Sequence, residues 1–313
     1  MRTKISLTTK LKPPQSGLIA IEPEDYTAAE VKALKASGAK VLAYLSVGTA
    51  DNQRASYGYL KQFCFNEWLE DWPHERYLDL RYPDVRDWMQ KQAIAIKKLG
   101  YDGFWIDNTD MYESYRSTEM FQAITSTLVA IKAVGGYIMI NGGIAYMTDL
   151  VAPHKVQLGA FKDPNKAKKL KKALKEKGFA ASVIDADGLH KVQAGAFTSP
   201  ENANQMAAKL QASGFSSAKR ISLTSIKPKA AADAVMQEEV FSLITSYAGK
   251  GKFGKQSNVD SERYQAYIRL MIKNGLDGGL LEYTDSNTLK LRINAFADAV
   301  GAKYVCISDD VDL

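Results

Sequence analysis

YDGFWIDNTDMY, residues 101–112, is the stretch from which the fold can be inferred. Its apolar run ends in Asp107, and a second acid, Asp110, follows three residues later. Strands of a buried parallel sheet are apolar almost throughout and reach solvent only at their ends, so Asp107 is expected at a strand end that faces a cleft. In an eight-stranded α/β barrel, catalytic residues occupy that position. The alternative is that Asp107 only caps the next helix or begins a turn.

The rest of the chain repeats the order strand, helix, strand, which is the unit of a parallel sheet. Eight apolar strands are predicted near residues 19, 41, 77, 103, 137, 234, 279 and 303. Eight is the number that a TIM-like (β/α)8 barrel requires. Lys4–Thr8 is a possible ninth strand, so either this segment or the strand near Tyr77 is expected to lie outside the barrel.

Polar side chains recur where the predicted strands end, which would place them on one rim of the barrel. They are Ser46, Asp79, Asp107, Asn141, Glu238 and Glu282.

The composition indicates which classes of protein the chain can belong to. The chain has 313 residues, 46% of them apolar and 24% charged, which is typical of a globular protein with a sizeable core. It has no apolar run of about 18 residues, so no membrane span is predicted. Two cysteines and three histidines define neither a disulfide framework nor a His-rich metal site, so we expect no metal and no cofactor.

An internal repeat interrupts the barrel pattern after the fifth strand. HKVQLGAF at residues 154–161 returns as HKVQAGAF at residues 190–197. Each copy is predicted to form a strand, a helix and a strand, so residues 154–222 should form a βαββαβ α+β sandwich with one open sheet face. Residues 1–153 and 223–313 remain for a discontinuous barrel. The insert carries a net charge of +8, against +6 for the whole chain.

Two kinds of domain have the layout of the insert. The RNA-recognition fold stacks bases on sheet aromatics, but its signature is missing here, and we expect no nucleic-acid partner. The segments VQLGAF and VQAGAF, with the intervening helix and GF pair, closely resemble the ferredoxin-like SPOR domain. The resemblance implies binding to peptidoglycan glycan strands that lack stem peptides, with Gln157, Lys191 and Gln193 at glycan-contacting positions. Leu189 stands where that family often has an aromatic residue.

The barrel segments resemble glycoside hydrolase family 114, the endo-α-1,4-polygalactosaminidases. The matching stretches are IEPEDYTAAEVKALKASGAKVLAYLSVG, GYDGFWIDNTDMYES, NGG and QEEVF. The resemblance implies hydrolysis of a galactosamine-type polysaccharide, with Asp107 and Glu238 as the catalytic carboxylates. Glycosidic hydrolysis ordinarily uses two such groups, one as the acid and one as the nucleophile or base, and the sequence leaves the assignment between them open. The family pattern Glu-x-x-aromatic selects Glu238 rather than Glu239.

Five further residues are expected to shape the pocket or bind substrate: Tyr44, Asp110, Tyr112, Asn141 and Glu282. Thr49 departs from the family, which commonly has Glu after AYLSVG, and this suggests an altered sugar. It also motivates the alternative that the chain is a non-catalytic peptidoglycan-binding, cell-division-associated protein with a degenerate barrel. We expect a periplasmic or extracellular location in the bacterial envelope, with any signal peptide outside this sequence.

Overall fold

The structure is a computed structural model and describes residues 3–247 and 250–311. In chain order its strands are β1 Thr3–Ser6, β2 Gly17–Ile21, β3 Ala39–Ser46, β4 Thr49–Asp51, β5 Cys64–Trp68, β6 Glu75–Leu78, β7 Gly103–Asp107, β8 Tyr137–Asn141, β9 His154–Phe161, β10 Ser182–Ala186, β11 Leu189–Phe197, β12 Lys219–Ser222, β13 Ala234–Glu238, β14 Ser242–Ser246, β15 Lys252–Lys255, β16 Asp277–Tyr283 and β17 Tyr304–Ser308.

The helices are α1 Ala28–Ala36, α2 Tyr57–Leu60, α3 Pro83–Lys98, α4 Met111–Ser114, α5 Thr118–Ala133, α6 Ile144–Val151, α7 Pro164–Glu176, α8 Pro200–Ala212, α9 Asn258–Lys273 and α10 Asn287–Val300. Their ends follow local chemistry. Helix α1 begins with a capping box between Thr27 and Glu30, and α10 ends at Gly301, whose φ of 71° suits glycine. No helix in the described ranges is long and apolar enough to cross a bilayer.

Eight strands form one sheet in the order β1-β2-β3-β7-β8-β13-β16-β17, with parallel pairing throughout. β1 lies beside β17, so the sheet curls into a nearly closed barrel. Its interior is filled by inward-facing side chains, among them Leu18, Leu42, Trp105, Met139, Met236 and Leu281. The predicted TIM-like barrel is confirmed, and its interior is a packed core.

One predicted barrel strand is wrong. Glu75–Leu78 pairs antiparallel with β4 and β5 in a separate three-stranded sheet, and Thr3–Ser6 is the barrel member instead. The first three residues of β6 are only half-buried, whereas a barrel strand is covered on both faces. Asp79 therefore does not end a barrel strand, and its carboxylate pairs with Arg81 at 2.7 Å.

The chain divides into two compact units. The first comprises the described residues up to Met111, residues 124–144 and the described residues from Pro228 onwards, and it contains the barrel. The second comprises residues 112–123 and 145–227.

The second unit contains a four-stranded antiparallel sheet in the order β10-β11-β9-β12, which packs on α7 and α8. The repeat is visible in its packing. A Cβ on Gly159 would lie 2.5 Å from the Phe161 ring, and one on Gly195 would lie 2.6 Å from the Phe197 ring. Each GAF motif therefore covers its own glycine with its own phenylalanine. The predicted α+β sandwich is confirmed.

Candidate active site

The candidate site lies on the inner face of the barrel at the carboxyl ends of its strands. Side chains alternate along a strand, so the residue two positions after an inward core residue also points inward. Trp105 is followed in this way by Asp107, Met236 by Glu238, and Leu281 by Tyr283. Tyr44 and Asn141 occupy the same positions on β3 and β8. These five residues come from five strands of one rim.

A continuous set of hydrogen bonds joins them. The Tyr44 hydroxyl donates to Asp107 Oδ2 at 3.1 Å. Asn141 Nδ2 donates both to Asp107 Oδ1 at 3.1 Å and to Glu238 Oε1 at 2.6 Å. The Tyr283 hydroxyl donates to Glu238 Oε2 at 3.2 Å. Adding the two Asn141 distances, 3.1 Å and 2.6 Å, shows that the bridged carboxylate oxygens are at most about 5.7 Å apart.

The pKa values of both acids are raised above their usual range. Burial raises the pKa of Asp107, and hydrogen bonds from the Asn108 N–H, Asn141 and Tyr44 oppose this by stabilising the ionised form. Burial also raises the pKa of Glu238, to about 7, and the negative charge of Asp107 adds to the effect. Near neutral pH, a substantial share of Glu238 therefore holds a proton.

The turn after β7 is built around Asn108, whose φ of 63° lies in the left-handed region that asparagine tolerates. Its Nδ2 donates to Ser46 Oγ at 2.9 Å and to Thr49 Oγ1 at 3.0 Å. A Cβ on Gly48 would fall 1.8 Å from the Asn108 carbonyl oxygen. The glycine of AYLSVG is therefore required for the close approach of the two turns that carry the site.

A cavity of about 680 Å³ adjoins the Tyr44 side of the site. Its wall carries four acids, Glu22, Glu24, Asp51 and Glu75, and one arginine, Arg54. Arg54 is held by Glu22 at 2.6 Å. The cavity wall is therefore acidic, although the chain as a whole is basic.

Thr49 and Glu75 meet in this wall. Thr49 is buried, and its hydroxyl lies 2.7 Å from Ser46 Oγ. Burial raises the pKa of Glu75, and a hydrogen bond with Thr49 opposes the shift. A carboxylate from β6 thus lies beside the position where family 114 commonly has Glu.

One group in the described part of the chain could hold a metal ion. Asp51, His74 and Glu75 each offer a ligand atom, and these atoms lie within 4.8 Å of one another. The register of β4 and β6 places Asp51 opposite Glu75. The expectation of no metal rested on the scarcity of histidine, which does not exclude a group assembled by strand pairing.

Two of the predicted substrate-binding residues are buried. Glu282 is fully buried on the outward face of β16, where its carboxylate accepts hydrogen bonds from the N–H groups of Phe241 and Ser242. Tyr112 is also buried, and its hydroxyl donates to Asp149 at 3.1 Å within the second unit. Both side chains have hydrogen-bond partners within the protein, and substrate binding by either of them stays a prediction.

The other predicted residues are placed as follows. Asp110 is exposed just after the Asn108 turn. Both N–H bonds of the Asn141 amide are directed at the two acids, so this residue positions carboxylates. In the insert, Gln157 and Gln193 lie opposite each other on β9 and β11, and Lys191 pairs with Asp187. Peptidoglycan binding by Gln157, Lys191 and Gln193 stays a prediction.

Sequence reasoning missed Tyr283 and Glu75 as neighbours of the site. Side chains alternate between the two faces of a strand. If Leu281 faces the barrel interior, Glu282 faces outward and Tyr283 faces inward, so the sequence could have indicated Tyr283. The position of Glu75 depends on antiparallel pairing between β4 and β6, for which the sequence carries no signal.

Comparison with known proteins agrees with the two architectures. Residues 4–141 match the profile of glycoside-hydrolase family GH114, and residues 151–219 match that of the SPOR domain. Both resemblances found in the sequence are thereby confirmed. No curated protein matches the chain.

Two solved structures are similar over nearly the whole chain. The glycoside hydrolase domain of PelA from Pseudomonas aeruginosa is 16% identical with a TM-score of 0.62, covering 99% of this chain and 96% of that one. Ega3 from Aspergillus fumigatus, solved in complex with galactosamine, is 12% identical with a TM-score of 0.57, covering 98% and 90%. At these identities the likeness establishes a shared fold.

Proposed function

Starting from a chain that joins a barrel of the GH114 type to a SPOR domain, we propose that it is an envelope glycoside hydrolase that cuts a galactosamine-type polysaccharide. The observation that carries the proposal is the Asn141 bridge. One amide holds Asp107 and Glu238 side by side on the barrel rim. Two carboxyl groups side by side, one of them able to hold a proton near neutral pH, are what glycosidic hydrolysis needs.

The pKa of Glu238, raised to about 7, supports its role as the acid, and Asp107 then acts as the nucleophile. Glu238 donates its proton to the glycosidic oxygen as the bond to the leaving sugar breaks. Asp107 attacks the anomeric carbon and forms a glycosyl ester. Glu238, now ionised, takes a proton from water, whose oxygen attacks the same carbon and releases Asp107.

The short separation of the carboxylates supports a retaining outcome. Retaining glycosidases hold the two groups about 5 to 5.5 Å apart, whereas inverting enzymes leave about 6.5 to 9.5 Å for a water molecule. The bridged oxygens of Asp107 and Glu238 are at most about 5.7 Å apart, which is shorter than the separation of an inverting pair and supports retention.

The acidic cavity wall supports a cationic substrate. A sugar with a free amino group carries positive charge near neutral pH, and carboxylates near its path attract it. Thr49 alone suggested an altered sugar, but Glu75 places a carboxylate against it. We therefore infer that the amine preference is retained, through a different residue.

The insert is proposed to hold the enzyme at peptidoglycan. Its SPOR match and its net charge of +8 support attachment to an anionic envelope polymer, through Gln157, Lys191 and Gln193. This implies a periplasmic or extracellular location.

Binding and cleavage are tested separately. The wild type and the Asp107→Asn and Glu238→Gln variants are incubated with galactosamine polymers and with denuded peptidoglycan, with Glu262→Gln as the control at an exposed helical site. We expect both site variants to lose release of reducing ends and to keep glycan pull-down. Pull-down without cleavage by the wild type would instead support the non-catalytic alternative.

A further variant tests the role of the insert in binding. Lys191→Ala is expected to weaken pull-down of denuded peptidoglycan and to leave cleavage of a soluble polymer intact. Unchanged pull-down would contradict the assigned role of Lys191.

A further inference from the structure

Two exposed aromatic rings meet at the edge of the candidate site. Trp72 is 48% exposed and Tyr247 is 62% exposed. Their ring centroids lie 5.9 Å apart, with an interplanar angle of 66°. Large aromatic side chains left in solvent as a cluster mark a surface that binds something.

Trp72 lies in the turn between β5 and β6, next to the acidic cavity. The turn is closed by hydrogen bonds from the Leu69 N–H to the Glu75 carbonyl at 3.0 Å and from the Glu75 N–H to the Trp72 carbonyl at 2.8 Å. Glu75 lines the cavity that also contains Tyr44, which bonds to Asp107. The backbone that carries the Trp72 ring is therefore tied to Glu75, a residue of the cavity wall.

Tyr247 belongs to the segment that follows Glu238 along the chain. It follows β14 directly, and the N–H of Ile244 in β14 donates to the Glu239 carboxylate. Tyr247 is only three residues further along this extended segment, or about 10 Å at the usual rise of a strand. The negative charges of Glu239 and Glu238 help to raise the pKa of the Tyr247 hydroxyl, after burial, which agrees with this proximity.

The two rings belong to opposite sides of the site. The Trp72 turn follows β3 and β4 along the chain, while Tyr247 follows β13. Between β3 and β13 in the barrel lie β7 and β8, whose ends carry Asp107 and Asn141. The contact between the two rings therefore joins segments that flank the acids.

We propose that Trp72 and Tyr247 form a sugar-binding subsite that receives a ring of the same polysaccharide at a distance from the bond that is cut. The C–H face of a pyranose ring packs on an aromatic face, while the indole N–H and the phenol can bond to its hydroxyls. The identity of the ligand rests on the proposed function. The placement of the subsite rests on the exposed rings and the segments that carry them.

The test measures how binding depends on the length of the sugar. Oligomers of α-1,4-linked galactosamine, from dimers to octamers, are titrated by calorimetry into Glu238→Gln protein and into the same protein carrying Trp72→Ala. A subsite away from the acids predicts that Trp72→Ala weakens octamer binding about tenfold, as expected for a stacking contact of about 1.4 kcal/mol, and weakens dimer binding much less. Trp72→Phe should recover part of the loss.

Trp68→Ala is the matched control, because Trp68 is 45% exposed in the neighbouring strand but stacks with Arg76 at 5.4 Å. It should bind every oligomer as the parent does. Equal loss at all lengths, or no loss with Trp72→Ala, would overturn the subsite.

Cleavage by the otherwise wild-type chain is scored in parallel to separate the two proposals. Length-dependent binding without cleavage would refute the hydrolase and leave the subsite standing. Cleavage with identical length dependence in Trp72→Ala would refute the subsite and leave the hydrolase standing.

Discussion

Replacing Glu238 with glutamine should stabilise the barrel at high pH while it removes the proposed acid. Glutamine has nearly the shape of the protonated carboxyl group but does not titrate. Burial raises the pKa of Glu238 from 4.5 to about 7 in the folded protein. Between these values the folded state binds more protons than the unfolded state, so the free energy of unfolding of the wild type falls as pH rises.

The size of the effect follows from the shift. A difference of about 2.5 pKa units corresponds to about 3 kcal/mol at 1.36 kcal/mol per unit. The gain in free energy of unfolding from Glu238→Gln should therefore grow by about 3 kcal/mol between pH 4 and pH 8 and level off above the folded pKa. Burial also raises the pKa of Glu282, but that contribution is common to both proteins and cancels in their difference.

Urea unfolding followed by tryptophan fluorescence measures this for the barrel alone. All four tryptophans, Trp68, Trp72, Trp88 and Trp105, belong to the first unit. Glu262→Gln, at an exposed position, is the control and should show a flat difference across the same pH range. A flat difference for Glu238→Gln as well would refute the assignment of Glu238 as the buried, protonated acid.

Four shorter predictions concern activity and folding. Hydrolysis should fall above about pH 7, as Glu238 loses its proton, and also at low pH, as Asp107 gains one; a pH profile of kcat/KM measures both limbs. Tyr283→Phe removes a donor that stabilises the ionised Glu238, so the alkaline limb should move to higher pH, and an unmoved limb would contradict the bond. Gly48→Ala places a Cβ against the Asn108 carbonyl oxygen. It should therefore lower the free energy of unfolding, measured by urea titration, by about 1 to 3 kcal/mol or more. A variant as stable as the wild type would show that the two turns can separate. Treatment with a chelator should leave hydrolysis unchanged, because two carboxylates suffice for the chemistry, and inactivation reversed by added metal would assign a role to the cluster of β4 and β6.

Much of the candidate site could be predicted from local sequence. An apolar run that stops at an acid indicates a strand end, which located Asp107 and the pair Glu238 and Glu239, and the resemblance to family 114 then selected Glu238. Tyr44 and Asn141 were expected to shape the pocket or bind substrate, and the structure joins both to the acids. The insert was visible as a repeat, because both copies conserve the spacing of strand, glycine and helix start.

The same reasoning failed where the outcome depended on the direction of a side chain or on the pairing of strands that are distant in the sequence. Glu282 ends a strand as Glu238 does, yet it points outward, because Leu281 and Tyr283 face the barrel interior. The strand near Tyr77 was assigned to the barrel, although its partners are β4 and β5. Tyr112 was expected to shape the pocket or bind substrate, but its side chain is buried and its hydroxyl donates to Asp149.

The sequence by itself determined the strand-helix repeat of a barrel and the inserted repeat, since each of these is encoded in runs of neighbouring residues, and together with the family resemblance it indicated the two acids. Only the tertiary structure decided how the pKa values of the two carboxyl groups shift. The shifts arise from burial and from the contacts that Asn141, Tyr44 and Tyr283 make from three other strands. Proton affinity depends on the solvent and charges around a carboxyl group, and these are set by residues far apart in the chain.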